Sequence, residues 1–432
     1  MKLVLRALAL VLLSAVVGMA LLVGVYALPK DGMRSNVIES AKIFAYESGY
    51  PRLIEGWHIS MLDNYTDSMM LLTAIGEDRE GKGLLALAAD APHAMYTGGS
   101  WLVNYIDAYA ADNLPVDSPQ MLYPRYWHGY LLTLKPALML FDYAQLRLVN
   151  MIAQSFLLFY ALLLLVRKTG ARFGVALLAA VLCLVPVVLP LSLQFSTVFY
   201  LALLALIIVL KADDWLMASG RYALFFCLLG IVTNYMDLLT YPLLTLCVPL
   251  SALLLLRRDA TVRESLTVTA LSCAFYGAGY ALMWASKWGI ATLITGTNVF
   301  ADAMTSAAER TSLMGIGELG AGEITRFGTI RALVALLWRR PYLLMAAGIA
   351  LGVVVLILKK RDAVGLTPLS KHAPSWLLIA ALPLIWYAVL PNHSYQHYFY
   401  TFRTLAATVF ALLCCGFAFL KDGKAAPDAR RT

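Results

Sequence analysis

The chain has 432 residues, of which 61% are hydrophobic and only 14% charged, and its mean hydropathy is +0.73. A soluble globular domain carries roughly a quarter charged residues. The deficit here goes with repeated apolar runs long enough to cross ~30 Å of hydrocarbon, which identifies a polytopic, all-α membrane protein. The formal net charge of +8 does not point to nucleic acid, because many basic residues stand in short loops between apolar runs, where they orient membrane insertion. The six cysteines all lie inside apolar runs without a CxxC spacing, which argues against a disulfide framework or a thiolate metal site.

The pattern predicts about ten spans: 5–27, 149–166, 174–191, 194–211, 221–236, 238–256, 265–285, 341–358, 375–390 and 404–420. Met1, Lys2 and Arg6 precede the first run. That run is longer than the apolar core of a cleaved signal, and Leu28-Pro29-Lys30 is a poor cleavage site, so a retained helix is expected. With the N-terminus in the cytoplasm, the segments Arg167–Arg172, Lys211–Arg221, Arg257–Arg263, Lys359–Lys371 and Lys421–Arg431 all fall inside. Each is basic, as the positive-inside rule requires. Both termini are then cytoplasmic and the protein sits in the cell membrane. The interruption from Asn234 to Pro242 is the weakest point of the pattern.

Two large loops, 28–148 and 286–340, face outward. Neither reads as a separate domain, so residues 1–432 form a single membrane-embedded domain. The pieces Tyr130–Phe141 and Ile330–Trp338 are amphipathic and suit short interfacial helices. No internal repeat is visible, which argues against an inverted-repeat transporter.

Five polar clusters project to this outer side. The first is Asp63-Asn64-Tyr65-Thr66-Asp67, where two carboxylates four residues apart share one face of a helix and Met69 to Leu72 anchors them near the bilayer. The second, Tyr123 to Tyr130, carries Arg125 and His128. The third, Asn234 to Asp237, places an acid at the lip of a span, where a charge is costly and normally paired. The fourth surrounds Lys287 between Trp284 and Trp288. The fifth carries His393 and His397 and leads to Arg403. Each has a plain alternative: aromatics at span ends anchor to the interface, Arg and Lys snorkel, and Asp63 can serve as an N-cap. Together they supply a base, cations for phosphate oxygens and aromatic walls.

This layout resembles the GT-C superfamily of integral-membrane glycosyltransferases, which use polyprenyl-phosphate sugars. The resemblance rests on the first span, the acidic first outer loop, the many later spans and the late segment from Asn392 to Arg403. It implies sugar transfer from a polyprenyl-phosphate donor to an envelope glycan, lipid or protein at the outer face of the bilayer, with no nucleic-acid partner. Asp63 or Asp67 would be the catalytic base, and Arg403, with Arg125 or Lys287, would hold the donor phosphate. Substrate contacts would come from His128, Asp237, His393 and His397. Asp31, nearer the first span, is the alternative base. No metal cage is evident, although a divalent ion between the two acids and the leaving phosphate fits the chemistry. Two other classes compete: a membrane acyltransferase using His393 or His397 as base, and a lipid or sugar transporter. A pocket beside the outer loops favours transfer, and one at the midplane favours transport.

Overall fold

The computed structural model describes residues 2–78, 80–94, 120–315, 319–359 and 363–421. Lys360, Arg361 and the basic tail beyond Lys421 lie outside the described residues. The described residues are helical, apart from turns, loops and two short antiparallel pairs, His93–Ala94 with Gln120–Met121 and Met314–Gly315 with Gly322–Glu323. Among them, eight helices are long and apolar enough to cross a membrane: Lys2–Tyr26, Tyr143–Thr169, Leu193–Lys211, Asp213–Met236, Val262–Thr295, Arg340–Lys359, Pro368–Val389 and Tyr398–Phe417. Two shorter apolar helices, Ala171–Cys183 and Leu243–Leu255, fill the third and sixth places. By helix length and hydropathy this is a multi-pass membrane protein, with elements at all ten expected positions.

Three details differ from the sequence pattern. The seventh helix runs to Thr295, so Lys287 lies inside it rather than at the start of a loop. Residues Met70, Leu71 and Leu72 pack into the protein interior instead of facing lipid. The first expected interfacial piece shortens to the helix Leu131–Leu138, and the second shifts to Arg326–Ala335.

The most extensive helix pair joins the fifth and seventh spans. Their backbones approach closely at two reciprocal glycines. A Cβ on Gly230 would meet the Tyr276 carbonyl oxygen at 2.2 Å, and one on Gly279 would meet that of Cys227 at 2.2 Å. Small residues at a crossing let membrane helices pack by van der Waals contact, where no hydrophobic drive separates helix from lipid. The turn at His128 and Gly129 is wedged against the same helices. His128 adopts a left-handed backbone, φ 56°, and Gly129 donates its N–H to the Tyr235 carbonyl at 2.8 Å. Trp127 Nε1 donates to the Met283 carbonyl at 2.8 Å and the Tyr235 hydroxyl to the Gly18 carbonyl at 2.7 Å. One turn of the first outer loop is thereby tied to the first, fifth and seventh spans.

The loops sort to two ends. Residues from the connections after the first, third, fifth, seventh and ninth spans meet around one polar cavity. Arg172, Arg258, Thr367 and Lys421, from the connections after even-numbered spans and from the chain after the tenth, meet in another hollow. Ten passes produce this alternation; an odd number of missing helices would mix the two sets.

Replacing Gly230 or Gly279 with Val should cost more than the ~1–3 kcal/mol usual for overpacking, because the obstruction is backbone. A thermal unfolding temperature several degrees lower, or loss of the monodisperse species in detergent, is the expected result for both.

Candidate active site

The acidic motif forms the start of a helix, Asn64–Ala74, and its two carboxylates have different tasks. Asp63 is the N-cap. Its Oδ1 accepts from the Thr66 amide and its Oδ2 from the Thr66 hydroxyl, both at 2.9 Å, as expected for Asp before a helix. Asp67, one turn on, points into the protein. It accepts from the Tyr143 hydroxyl at 2.5 Å, the Ser192 hydroxyl at 3.1 Å, and the amides of Leu193 and Gln194 at 2.8 and 2.9 Å. Both of its oxygens are engaged, and it serves as the anion at the N-terminus of the fourth span. The structure separates the expected pair: Asp63 lines the polar cavity and Asp67 does not.

The cavity has a volume of about 180 Å³. The first outer loop contributes Tyr50, Asp63, Thr66, His93, Tyr123, Tyr126 and His128. The later connections add Gln194, Leu238, Arg310, His393, His397 and Tyr400. Burial raises the Asp63 carboxyl to about 7, with the charge of Asp67 adding to the rise and the two bonds from Thr66 opposing it. A carboxyl titrating near neutrality is suited to general base chemistry. The histidines are neutral for the same reason: burial lowers His93 and His397 to about 4 and His128 to about 3, and it lowers His393 as well. Aromatic rings close the walls, with His397 stacked on Tyr400 at 5.2 Å and Tyr123 edge-on to Tyr126 at 5.2 Å.

Of the residues expected at the site, Asp63, His128, His393 and His397 come together here, and the others do not. Arg125 is bound to Asp302 at 2.7 and 2.8 Å, which ties the helix Val299–Thr311 to the first loop. Lys287 donates to the Ala89 carbonyl at 2.7 Å and so caps the C-terminus of the helix Leu84–Asp90, a favourable place for a cation. Asp237 turns back on its own chain, accepting from the Thr240 amide at 2.9 Å and hydroxyl at 2.5 Å. Arg403 is fully buried and donates to the carbonyls of Leu184, Ile59 and Phe399, with its guanidinium 4.3 Å from the Phe195 ring centroid. Its donors hold backbone, not a lumen. Asp31 stands at the start of the helix Asp31–Glu47 with its side chain 98% exposed, away from the cavity.

Among the cavity residues not singled out in the sequence are Arg310, His93 and Gln194. Arg310 ends the helix Val299–Thr311 and lines the cavity beside Tyr126, with its guanidinium 5.7 Å from that ring. It is the lone basic residue between Lys287 and Arg326, which was a readable signal. Among the described residues it forms no ion pair. His93 stands on the short strand His93–Ala94. Four of the six histidines line this one cavity, a concentration the sequence contains but does not assemble.

Among the described residues, no group of three or more His, Cys, Asp or Glu side chains is placed to hold a metal ion. A divalent ion clamped by Asp63 and Asp67 together does not fit, because the Asp67 oxygens are occupied by four donors. Comparison with protein-family models, curated proteins and solved structures finds no match for this chain.

Replacing Asp67 with Ala should destabilise the protein by roughly 3 kcal/mol, since several buried donors lose their acceptor at ~1–3 kcal/mol each. Replacing Asp63 with Asn, itself a good N-cap, should change stability by less than about 1 kcal/mol. Comparing the unfolding temperatures of the two variants checks this division.

Proposed function

We propose that this chain is a membrane glycosyltransferase that moves a sugar from a polyprenyl-phosphate donor to a cell-envelope glycan, lipid or protein. One observation carries the reading. Asp63 and Arg310 face the same polar cavity, and that cavity shares Met70 and Tyr130 with an open apolar groove of about 430 Å³. The groove is walled by residues of the second and fourth spans, among them Leu146, Val149, Leu201 and Leu204. A polar chamber with an acid and a cation, adjoining an apolar groove across Met70 and Tyr130, matches an amphiphile with an anionic headgroup. The cavity lies beside the outer loops, which favours transfer over transport. His393 Nε2 is bonded to the Leu239 carbonyl at 2.9 Å, and burial lowers His393 and His397 and makes both weak bases, whereas it raises Asp63 to about 7. A carboxylate base is therefore preferred to the histidine base of an acyltransferase.

In this reading the Asp63 carboxylate takes the proton of an acceptor hydroxyl as its oxygen attacks the anomeric carbon. The bond from that carbon to the phosphate oxygen breaks, and the electron pair leaves with the polyprenyl phosphate. The Arg310 guanidinium neutralises the charge developing there. A single displacement inverts the anomeric centre. The basic hollow at Arg172, Arg258 and Lys421 faces the cytoplasm and the cavity faces outward.

Transfer measured with polyprenyl-phosphate sugars should fall ~10²–10⁴-fold in Asp63→Asn. Arg310→Ala should fall about 100-fold, with partial recovery in Arg310→Lys, which keeps the charge but not the planar fork. Because the base must be deprotonated, kcat/KM should rise with pH to a plateau above about 7. Full turnover by Asp63→Asn would remove the assignment.

Orientation is tested separately. A membrane-impermeant maleimide should label Thr297→Cys on intact cells and Arg258→Cys only after permeabilisation. The reverse pattern would place the cavity in the cytoplasm.

A further inference from the structure

We propose that His93 and Gln194 recognise the neutral, hydroxyl-bearing part of the headgroup, separately from the phosphate at Arg310. This rests on the donor reading above. The two residues come from distant parts of the chain. His93 stands on the strand paired with Gln120 and Met121, its ring edge-on to Tyr123 at 6.3 Å. Gln194 opens the fourth span, and its backbone is fixed by the bond from its amide to Asp67. Both side chains line the cavity, and they are only 1% and 5% exposed.

The decisive feature is unspent hydrogen-bonding capacity. The Ala91 backbone lies near the His93 ring, but neither ring nitrogen of His93, nor Gln194 Oε1, has a partner at hydrogen-bonding geometry among the described residues. The neighbouring histidines differ. His128 is bonded through both nitrogens, to the Tyr130 hydroxyl at 3.0 Å and the Tyr123 carbonyl at 2.9 Å. A buried polar atom without a partner is destabilising and rare, and a ligand that supplies the partner removes the cost.

The chemistry of the unspent atoms selects the ligand. A phosphate diester has acceptors only, so it satisfies Arg310 but not the carbonyl oxygen of Gln194. A cationic headgroup is repelled by Arg310. A neutral imidazole presents one donor and one acceptor, and a hydroxyl is both. Adjacent hydroxyls on a sugar therefore complement His93 and Gln194, and sites built to bond a hydroxyl reject analogues that lack it.

The test compares binding of bare citronellyl phosphate with citronellyl phosphates bearing glucose, mannose, galactose or arabinofuranose, using the purified full chain in detergent. The wild type should bind at least one glycosylated lipid about tenfold or more tighter than the bare one, the effect of one or two neutral hydrogen bonds. His93→Phe and Gln194→Leu should each bring that ratio down severalfold, towards one, and leave the bare lipid's affinity unchanged. His93→Gln should recover part of the ratio. Arg310→Ala should weaken bare and glycosylated lipids by the same factor. An unchanged ratio in both His93→Phe and Gln194→Leu overturns the assignment, as does an equal loss for bare and glycosylated lipid in those variants. A wild type that binds all four sugars no better than the bare lipid overturns it while leaving the lipid-phosphate reading in place. Failure of bare and glycosylated lipids alike to bind the wild type overturns the donor reading and this inference with it.

Discussion

The buried carboxylate of Asp67 holds the long connection after the first span to the membrane helices. It joins the acidic helix Asn64–Ala74 to the start of the fourth span through the amides of Leu193 and Gln194, and to the second span through the Tyr143 hydroxyl. A second tie reinforces it. Arg147, one turn beyond Tyr143, binds Glu47 in a bidentate pair at 2.7 and 2.8 Å and also reaches the Asn64 carbonyl oxygen at 3.0 Å. Removing one partner of so buried a network leaves charge and donors uncompensated, which is far more costly than losing a surface pair. Because Asp67 is fixed, the helix it belongs to is fixed, and Asp63 at its N-cap is held at the cavity wall.

The same arrangement gives two carboxylates four residues apart different partners. Burial raises both carboxyls; at Asp67 the bonds from Tyr143, Leu193 and Gln194 oppose that rise. Asp63 has only the two bonds from Thr66 and is equally buried, and its carboxyl rises to about 7. Environment rather than sequence separation sets the two roles. Around Asp63 the protein divides its interior by polarity. The chamber with Arg310 and the histidines is polar, while the adjoining groove is lined by leucine, valine and methionine. Met70 and Tyr130 belong to both and mark the boundary.

The cations show why the candidate site was only partly readable. Arg125, Lys287 and Arg403 are conspicuous in sequence because each stands beside aromatics or at a span end. In the fold, each is consumed by structure: Asp302 takes Arg125, a helix C-terminus takes Lys287, and three backbone carbonyls take Arg403. The cation left facing the lumen is Arg310, in an amphipathic helix with no aromatic neighbour in sequence. Whether a charged side chain is spent depends on which acceptor lies within hydrogen-bond reach, and acceptors 177 to 344 residues away in the chain leave no local mark.

Hydropathy and charge in the sequence settled what depends on single segments: a helical membrane protein, ten apolar elements, and basic connections alternating with polar ones. Those properties are fixed by transfer of each segment between water and hydrocarbon, so they can be read locally. The sequence also offered Asp63 as a helix N-cap and set His128, His393 and His397 in connections between spans. Only the tertiary structure decided that Asp63 opens on the cavity while Asp67 is locked beneath it, that His93 and Arg310 join His128, His393 and His397, and that the polar chamber meets an apolar groove. Those outcomes turn on hydrogen-bond partners and packing between segments far apart in the chain, where the energy belongs to the pair and neither residue carries it alone.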